Sequence, residues 1–266
     1  MHKPSSLKDY AIAIFLAAIL LTLFSSYLLI RRGYLFDAPP SADTFFVFNK
    51  VIIGVGTVLL ALTFLIGPIV RYFDRFDKWL GYRKEIGIIG GFLALSHGIL
   101  SYHFLPLKFP QEKFTIENIP FLAGLIGSLI LVFLFVLSLE RVIHLMDGKR
   151  WWFLQRFGLR AVIVFTVIHV VVMKWQGWMK WLKQGGTPSA ELANPLLPGL
   201  GMLVSLFLAW VIIVRLYESI FLFKDCGFTT KEICTDENTK KRGRKFFIIS
   251  FWVMILVYIF LFLRWA

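Results

Sequence analysis

The chain has 266 residues, 58% of them hydrophobic and 28 of them phenylalanine, with a formal net charge of +13. That apolar share exceeds what a soluble domain carries, so it excludes a water-soluble globular protein and points to a polytopic membrane protein shaped by lipid. On such a chain the excess of Lys and Arg serves topology and contact with anionic lipid head groups, which argues against a nucleic-acid partner.

Seven apolar runs are long enough to span a bilayer: Tyr10–Ile30, Val51–Val70, Ile86–Phe104, Ile119–Leu139, Leu159–Met173, Leu197–Ile220 and Phe246–Leu263. The first follows a basic N-terminus, but it is too long for the apolar region of a signal peptide and ends at Arg31 and Arg32 with no small-residue cleavage site. It is expected to stay as a helix. The fifth, at about 15 residues, is short for a span and needs extension through Phe157 and Trp175. The expected fold is therefore all-α, one membrane domain of seven transmembrane helices.

Placing twenty of the 29 Lys and Arg on the inner side puts the N-terminus in the cytoplasm and the C-terminus, just past Arg264, outside. Beyond the fifth run, Trp175, Trp178 and Leu182 recur at helical spacing among lysines. This predicts a helix extension into the interface, with a docking platform for an acidic partner as the functional alternative. Gly185, Gly186, Pro188, Pro195 and Pro198 then turn the chain back. Cys226 and Cys234 fall in an inner loop, where reducing conditions disfavour a disulfide, and read as loop thiols.

The longest polar connections, Arg31–Lys50, Lys174–Leu196 and Phe223–Lys245, are each about twenty residues and hold no nucleotide-binding module or Gly-x-Gly-x-x-Gly pattern. Electrons, if the protein moves them, must come from a quinol, a separate cytoplasmic flavin reductase or a loosely bound flavin.

Two histidines carry the chemistry. His97 lies thirteen residues after Lys84, and His169 thirteen after Arg156. At ~1.5 Å of rise per residue each imidazole is ~20 Å from its charged flank, so two spans starting on one side hold them level. Level imidazoles on two helices can grip a haem iron from both faces; ionisable groups inside a bilayer are functional by default. On the His97 face fall Gly87, Gly90, Ala94 and Ser101, all small. They leave room for a flat macrocycle or form an ordinary helix-contact stripe. Thr166, one turn before His169, or a backbone carbonyl would orient its second ring nitrogen. His103 reads as a solvated interface residue and His144 as a head-group contact.

Residues 83–102, Arg-Lys-Glu-Ile-Gly-Ile-Ile-Gly-Gly-Phe-Leu-Ala-Leu-Ser-His-Gly-Ile-Leu-Ser-Tyr, resemble the third-helix pattern of the ferric reductase-like transmembrane superfamily. Gly148-Lys-Arg-Trp-Trp-Phe-Leu-Gln-Arg through His169 and Trp175 resembles its fifth-helix opening, and Gly67-Pro68 with Arg71 its second-helix end. The resemblance covers roughly Val51–Trp175 and is greatest to haem-binding membrane subunits of bacterial periplasmic methionine sulfoxide reductase systems.

It implies a six-helix core, here with one extra C-terminal helix, in which His97 and His169 ligate an outer b-type haem and pass electrons to an acceptor on the outer face, a periplasmic reductase or a metal ion. The inner histidine pair of two-haem members is replaced by Arg83 or Lys84 and by Gln155, neither a plausible axial ligand, so one haem b is expected. Arg83, Lys84, Gln155 and Arg156, with Trp151 and Trp152, suit an anionic flat cofactor, FMN, FAD or a quinone. The chain would then be the electron-transfer subunit of an oxidoreductase in the cell inner membrane. The rival reading is a haem-free scaffold or small transporter in which both histidines are polar glue.

Overall fold

The computed structural model describes residues 7–33, 44–74, 76–189, 192–222 and 237–265. Among these there is no strand. The chain forms α1 (Leu7–Arg32), α2 (Thr44–Phe73), α3 (Asp77–Phe104), α4 (Ile119–Leu137), α5 (Glu140–Leu145), α6 (Gly148–Gln184), α7 (Leu200–Tyr217) and α8 (Glu237–Leu263). All but the short α5 are long and apolar enough to cross a membrane, seven in number as the apolar runs predict. The protein is a multi-pass helical membrane protein; Cys226 and Cys234 lie outside the described residues.

Several helices overrun the apolar stretches that announce them. Hydropathy marks only the hydrocarbon-facing part of a helix, whereas intrahelical bonding, once nucleated, propagates through polar residues. Thus α6 begins at Gly148, well before Leu159, and runs through the Trp175–Leu182 segment to Gln184. Gly185, at φ 70°, then ends it, its N–H donating to the carbonyl of Trp181 at 2.9 Å. The earlier start of α2 matters most, because Thr44 rather than Val51 opens it and Asn49 and Lys50 become helical instead of loop residues.

α2 is the axis of the bundle. Of its most apolar stretch 78% is buried, against 39% or less in every other span. It packs on α3 and α7 and also touches α1 and α8. Small residues permit this. A Cβ on Gly90 would stand 2.9 Å from the Cβ of Leu59 and 3.1 Å from the backbone nitrogen of Leu60. One on Gly56 would stand 3.0 Å from the carbonyl oxygen of Gly90 and 3.1 Å from the nitrogen of Ala94. The two backbones therefore meet directly, the close approach through which membrane helices gain dispersion energy without a hydrophobic drive.

Helix contacts close a ring: α2 on α3, α3 on α4, α4 on α6, α6 lightly on α7, and α7 back on α2. α3 and α6 are not among the pairs that pack extensively. Leu60, Leu131, Leu134, Leu137 and Val162, joined by Ala94 and Leu159, fill one part of the interior.

Where α6 gives way to α7, residues 193–198 cover the end of α1. Asn194 donates from its backbone N–H to the carbonyl of Arg31 at 2.9 Å and from Nδ2 to that of Ile30 at 2.7 Å. Arg31 Nε donates in return to the carbonyl of Leu197 at 3.0 Å. Carbonyls that a helix end leaves without intrahelical partners are thereby satisfied where the loop covers them.

Candidate functional site

His97 sits twenty residues after the start of α3 (97 − 77) and His169 twenty-one after the start of α6 (169 − 148). Charged residues at similar distances from the two histidines also come near each other. Arg83 and Arg156, fourteen and thirteen residues before the histidines, lie within electrostatic reach of each other. So do Lys50, adjacent to Asn49, and Lys174, five residues past His169. The two imidazoles are likewise within mutual electrostatic range. Both are half-buried.

Each ring is held by its Nδ1. His97 Nδ1 is 2.9 Å from Oδ1 of Asn49, which is 2% exposed. Asn49 in turn donates from Nδ2 to Oγ of Ser101 at 2.9 Å. A carboxamide oxygen can only accept, so Nδ1 of His97 carries the proton and Nε2 the lone pair. His169 Nδ1 lies 2.6 Å from the carbonyl oxygen of Pro120, another pure acceptor, with the same result. Its ring rests against Gly124, where a Cβ would come within 3.0 Å of Nδ1 and 3.3 Å of Cε1. Both imidazoles, with their Nδ1 facing pure acceptors, thus carry their lone pairs on Nε2, the protonation state that metal ligation by this nitrogen requires.

The predicted pocket residues divide. Ser101 reaches the site through Asn49, with only long contacts of 3.4 and 3.5 Å to the His97 ring. Gly90 and Ala94 face the backbone of α2, so this part of the small-residue stripe is a helix contact and not open space beside a macrocycle. Thr166 does not orient His169, because its hydroxyl donates to the carbonyl of Val162, one turn earlier, at 2.8 Å. A helical threonine has this acceptor within reach of its own backbone, whereas Pro120 lies on the neighbouring α4.

Asn49, Pro120 and Gly124 were not legible as site residues. Asn49 falls in an apparent loop before the apolar run, and a backbone carbonyl leaves no sequence signature. The signal that could have raised Asn49 is an isolated carboxamide immediately before a strongly apolar stretch.

Toward the N-terminal ends of α3 and α6, Gln155 does not join the cations. Its Nε2 donates to the carbonyl of Leu134 at 3.3 Å and to Ser138 Oγ at 3.0 Å, while Trp151 Nε1 donates to the carbonyl of Leu137 at 2.7 Å. These side chains satisfy carbonyls at the C-terminus of α4, which sequence distance concealed. Arg83 and Arg156 instead belong to a basic group with Arg71, Arg160 and Arg215 around one carboxylate, Glu218, 1% exposed and ion-paired with Arg71 and Arg215. Lys84, half-buried on α3, is next in sequence to Arg83. His103 and His144 are exposed, as expected.

Residues 53–166 match the family described as the ferric reductase like transmembrane component, a stretch that runs from α2 into α6 and contains His97. Metalloreductase STEAP2 of Mus musculus is 24% identical over 165 residues, covering 49% of this chain and 33% of its own. The chain therefore spans about a third of the length of that curated relative. Both are similarities to ferric reductase-like membrane proteins, and the family match ends three residues before His169.

Proposed function

We propose that the protein is a membrane electron carrier that holds one b-type haem between Nε2 of His97 and Nε2 of His169. The observation carrying this is the shared tautomer of the two imidazoles, at corresponding positions along α3 and α6 and each held by an acceptor on Nδ1. Two imidazoles are the number an iron needs when a porphyrin supplies the other four ligands, and the bundle leaves α3 and α6 without extensive contact. The haem supplies one-electron redox chemistry; the protein's part is ligation, orientation and exclusion of water.

Lys50 and Lys174, on α2 and α6 and within electrostatic reach of each other, supply cations that haem propionates call for. Arg83 and Arg156, with Lys84, give the inner side its attraction for an anionic donor, a flavin or the reducing partner that carries one. A quinol is the alternative donor. Gln155 is committed to α4, so the inner reading rests on the cations. The acceptor lies on the outer face: a metal ion, as the name of STEAP2 implies for that relative, or a periplasmic reductase of the methionine sulfoxide type. The positive-inside distribution puts the N-terminus in the cytoplasm.

Purified wild-type protein should give a reduced-minus-oxidised spectrum with a sharp low-spin b-type band, absent from His97→Ala and from His169→Ala. Folded, colourless wild-type protein reconstituted with haem and still lacking the band would favour the scaffold reading, in which Asn49 and Pro120 merely satisfy buried ring nitrogens.

A further inference from the structure

We infer that Asn49 is a positioning residue that sets the electron donation of His97 to the haem iron, and hence the redox potential of the site. This rests on the haem reading above. The two proposed ligands are oriented by different kinds of acceptor. His169 leans on a backbone carbonyl, which no substitution can remove, whereas His97 leans on a side chain. Asn49 is therefore the tunable member of the pair.

The geometry suits an asparagine and few other residues. Oδ1 must accept from Nδ1–H of His97, while Nδ2 must find its own acceptor, and Ser101 Oγ provides it at 2.9 Å. Serine in place of Asn49 is too short to span both contacts, and leucine accepts nothing. The side chain is buried as well as paired, being 2% exposed. The helix that carries it meets α3 backbone to backbone at Gly56 and Gly90, seven residues after Asn49 on α2 and seven before His97 on α3. The crossing that fixes the two helices thus also fixes the hydrogen bond.

A hydrogen bond accepted from Nδ1–H pushes electron density toward Nε2, makes the imidazole a stronger donor, and favours the oxidised iron. Replacing the neutral carboxamide with a carboxylate strengthens that push. Removing the acceptor abolishes it and leaves Nδ1–H buried without a partner. The two changes must move the potential in opposite directions, whereas a residue that only packs would move both variants the same way or neither.

The test is spectroelectrochemical titration of the purified full-length chain with haem bound, comparing wild type, Asn49→Asp, Asn49→Leu and Ser101→Ala. The expected result is a midpoint below wild type for Asn49→Asp, above it for Asn49→Leu, and a smaller upward shift for Ser101→Ala, which loosens Asn49 without removing it. Should Asn49→Leu fail to fold, Asn49→Asp and Ser101→Ala still have to move oppositely. Midpoints that coincide with wild type, or that shift in one common direction, overturn the inference while leaving the haem assignment intact. Wild-type protein that holds no haem overturns the assignment itself.

Discussion

Gly124 on α4 is the floor beneath the His169 ring: a single methyl there would press to within 3.0 Å of Nδ1 and 3.3 Å of Cε1. The same helix supplies the Pro120 carbonyl that accepts from this ring, so α4 both orients the imidazole and leaves room for it. Gly124→Leu should push the ring off Pro120 and weaken haem retention by about tenfold to a hundredfold, the usual effect of losing a partner behind a metal ligand. Haem titration of the apoprotein measures it. Gly127, whose Cβ would meet only the Cβ of Phe165 at an ordinary 3.5 Å, should accept alanine with affinity unchanged.

Glu218 is buried and pairs with both Arg71 and Arg215. Removing it strands guanidinium groups in a low-dielectric setting, so Glu218→Gln should destabilise the fold by about 3–5 kcal/mol. The Lys240–Asp74 pair, at 2.8 Å but with the Asp74 side chain 57% exposed, should contribute at most about 1 kcal/mol, so Asp74→Asn is nearly silent. Thermal unfolding in detergent compares the two; equal effects would contradict the buried ion cluster.

At the α2–α3 crossing, Gly90→Ala should destabilise, because its Cβ meets the backbone of Leu60 and the side chain of Leu59, neither able to retreat. It should also disturb the Asn49–His97 bond and broaden the haem band. Gly177, on α6 with no atom within 4 Å of an added Cβ, should gain about 0.5–1 kcal/mol as alanine from improved helix propensity.

If an anionic donor enters at the inner face, Arg83→Gln with Arg156→Gln should slow haem reduction by a cytoplasmic flavin reductase several-fold at low salt. The spectrum should be unaltered, and the difference should fade as ionic strength rises. Stopped-flow reduction rates across a salt series decide this. A rate insensitive to both substitutions would assign electron entry to another route.

How far the sequence carried the fold depends on what lipid allows. The seven spans were legible because each must present an apolar surface. Their order in the bundle was not, because outward-facing leucine is as comfortable in lipid as buried leucine is in protein. α8 is as apolar as α2, yet α2 is the axis; what marks it is Gly54, Gly56, Ala61 and Gly67, the small residues that let neighbours approach. The two histidines stood out as candidates from spacing, since helical rise converts sequence separation into depth. Its supports were not. Asn49 lies 48 residues from His97, and Pro120 lies 49 from His169, so both contacts are made by the packing of separate helices. The small stripe from Gly87 to Ala94 misled for the same reason, small residues being as useful for packing helices as for admitting a cofactor.

The most direct measurement is haem per polypeptide, by pyridine haemochrome on purified wild type, His97→Ala and His169→Ala side by side. One haem per chain in wild type and none in either variant is expected from bis-imidazole ligation across the ring. Full occupancy in either variant, or none in folded wild type supplied with haem, would show that these imidazoles are helix contacts and not iron ligands.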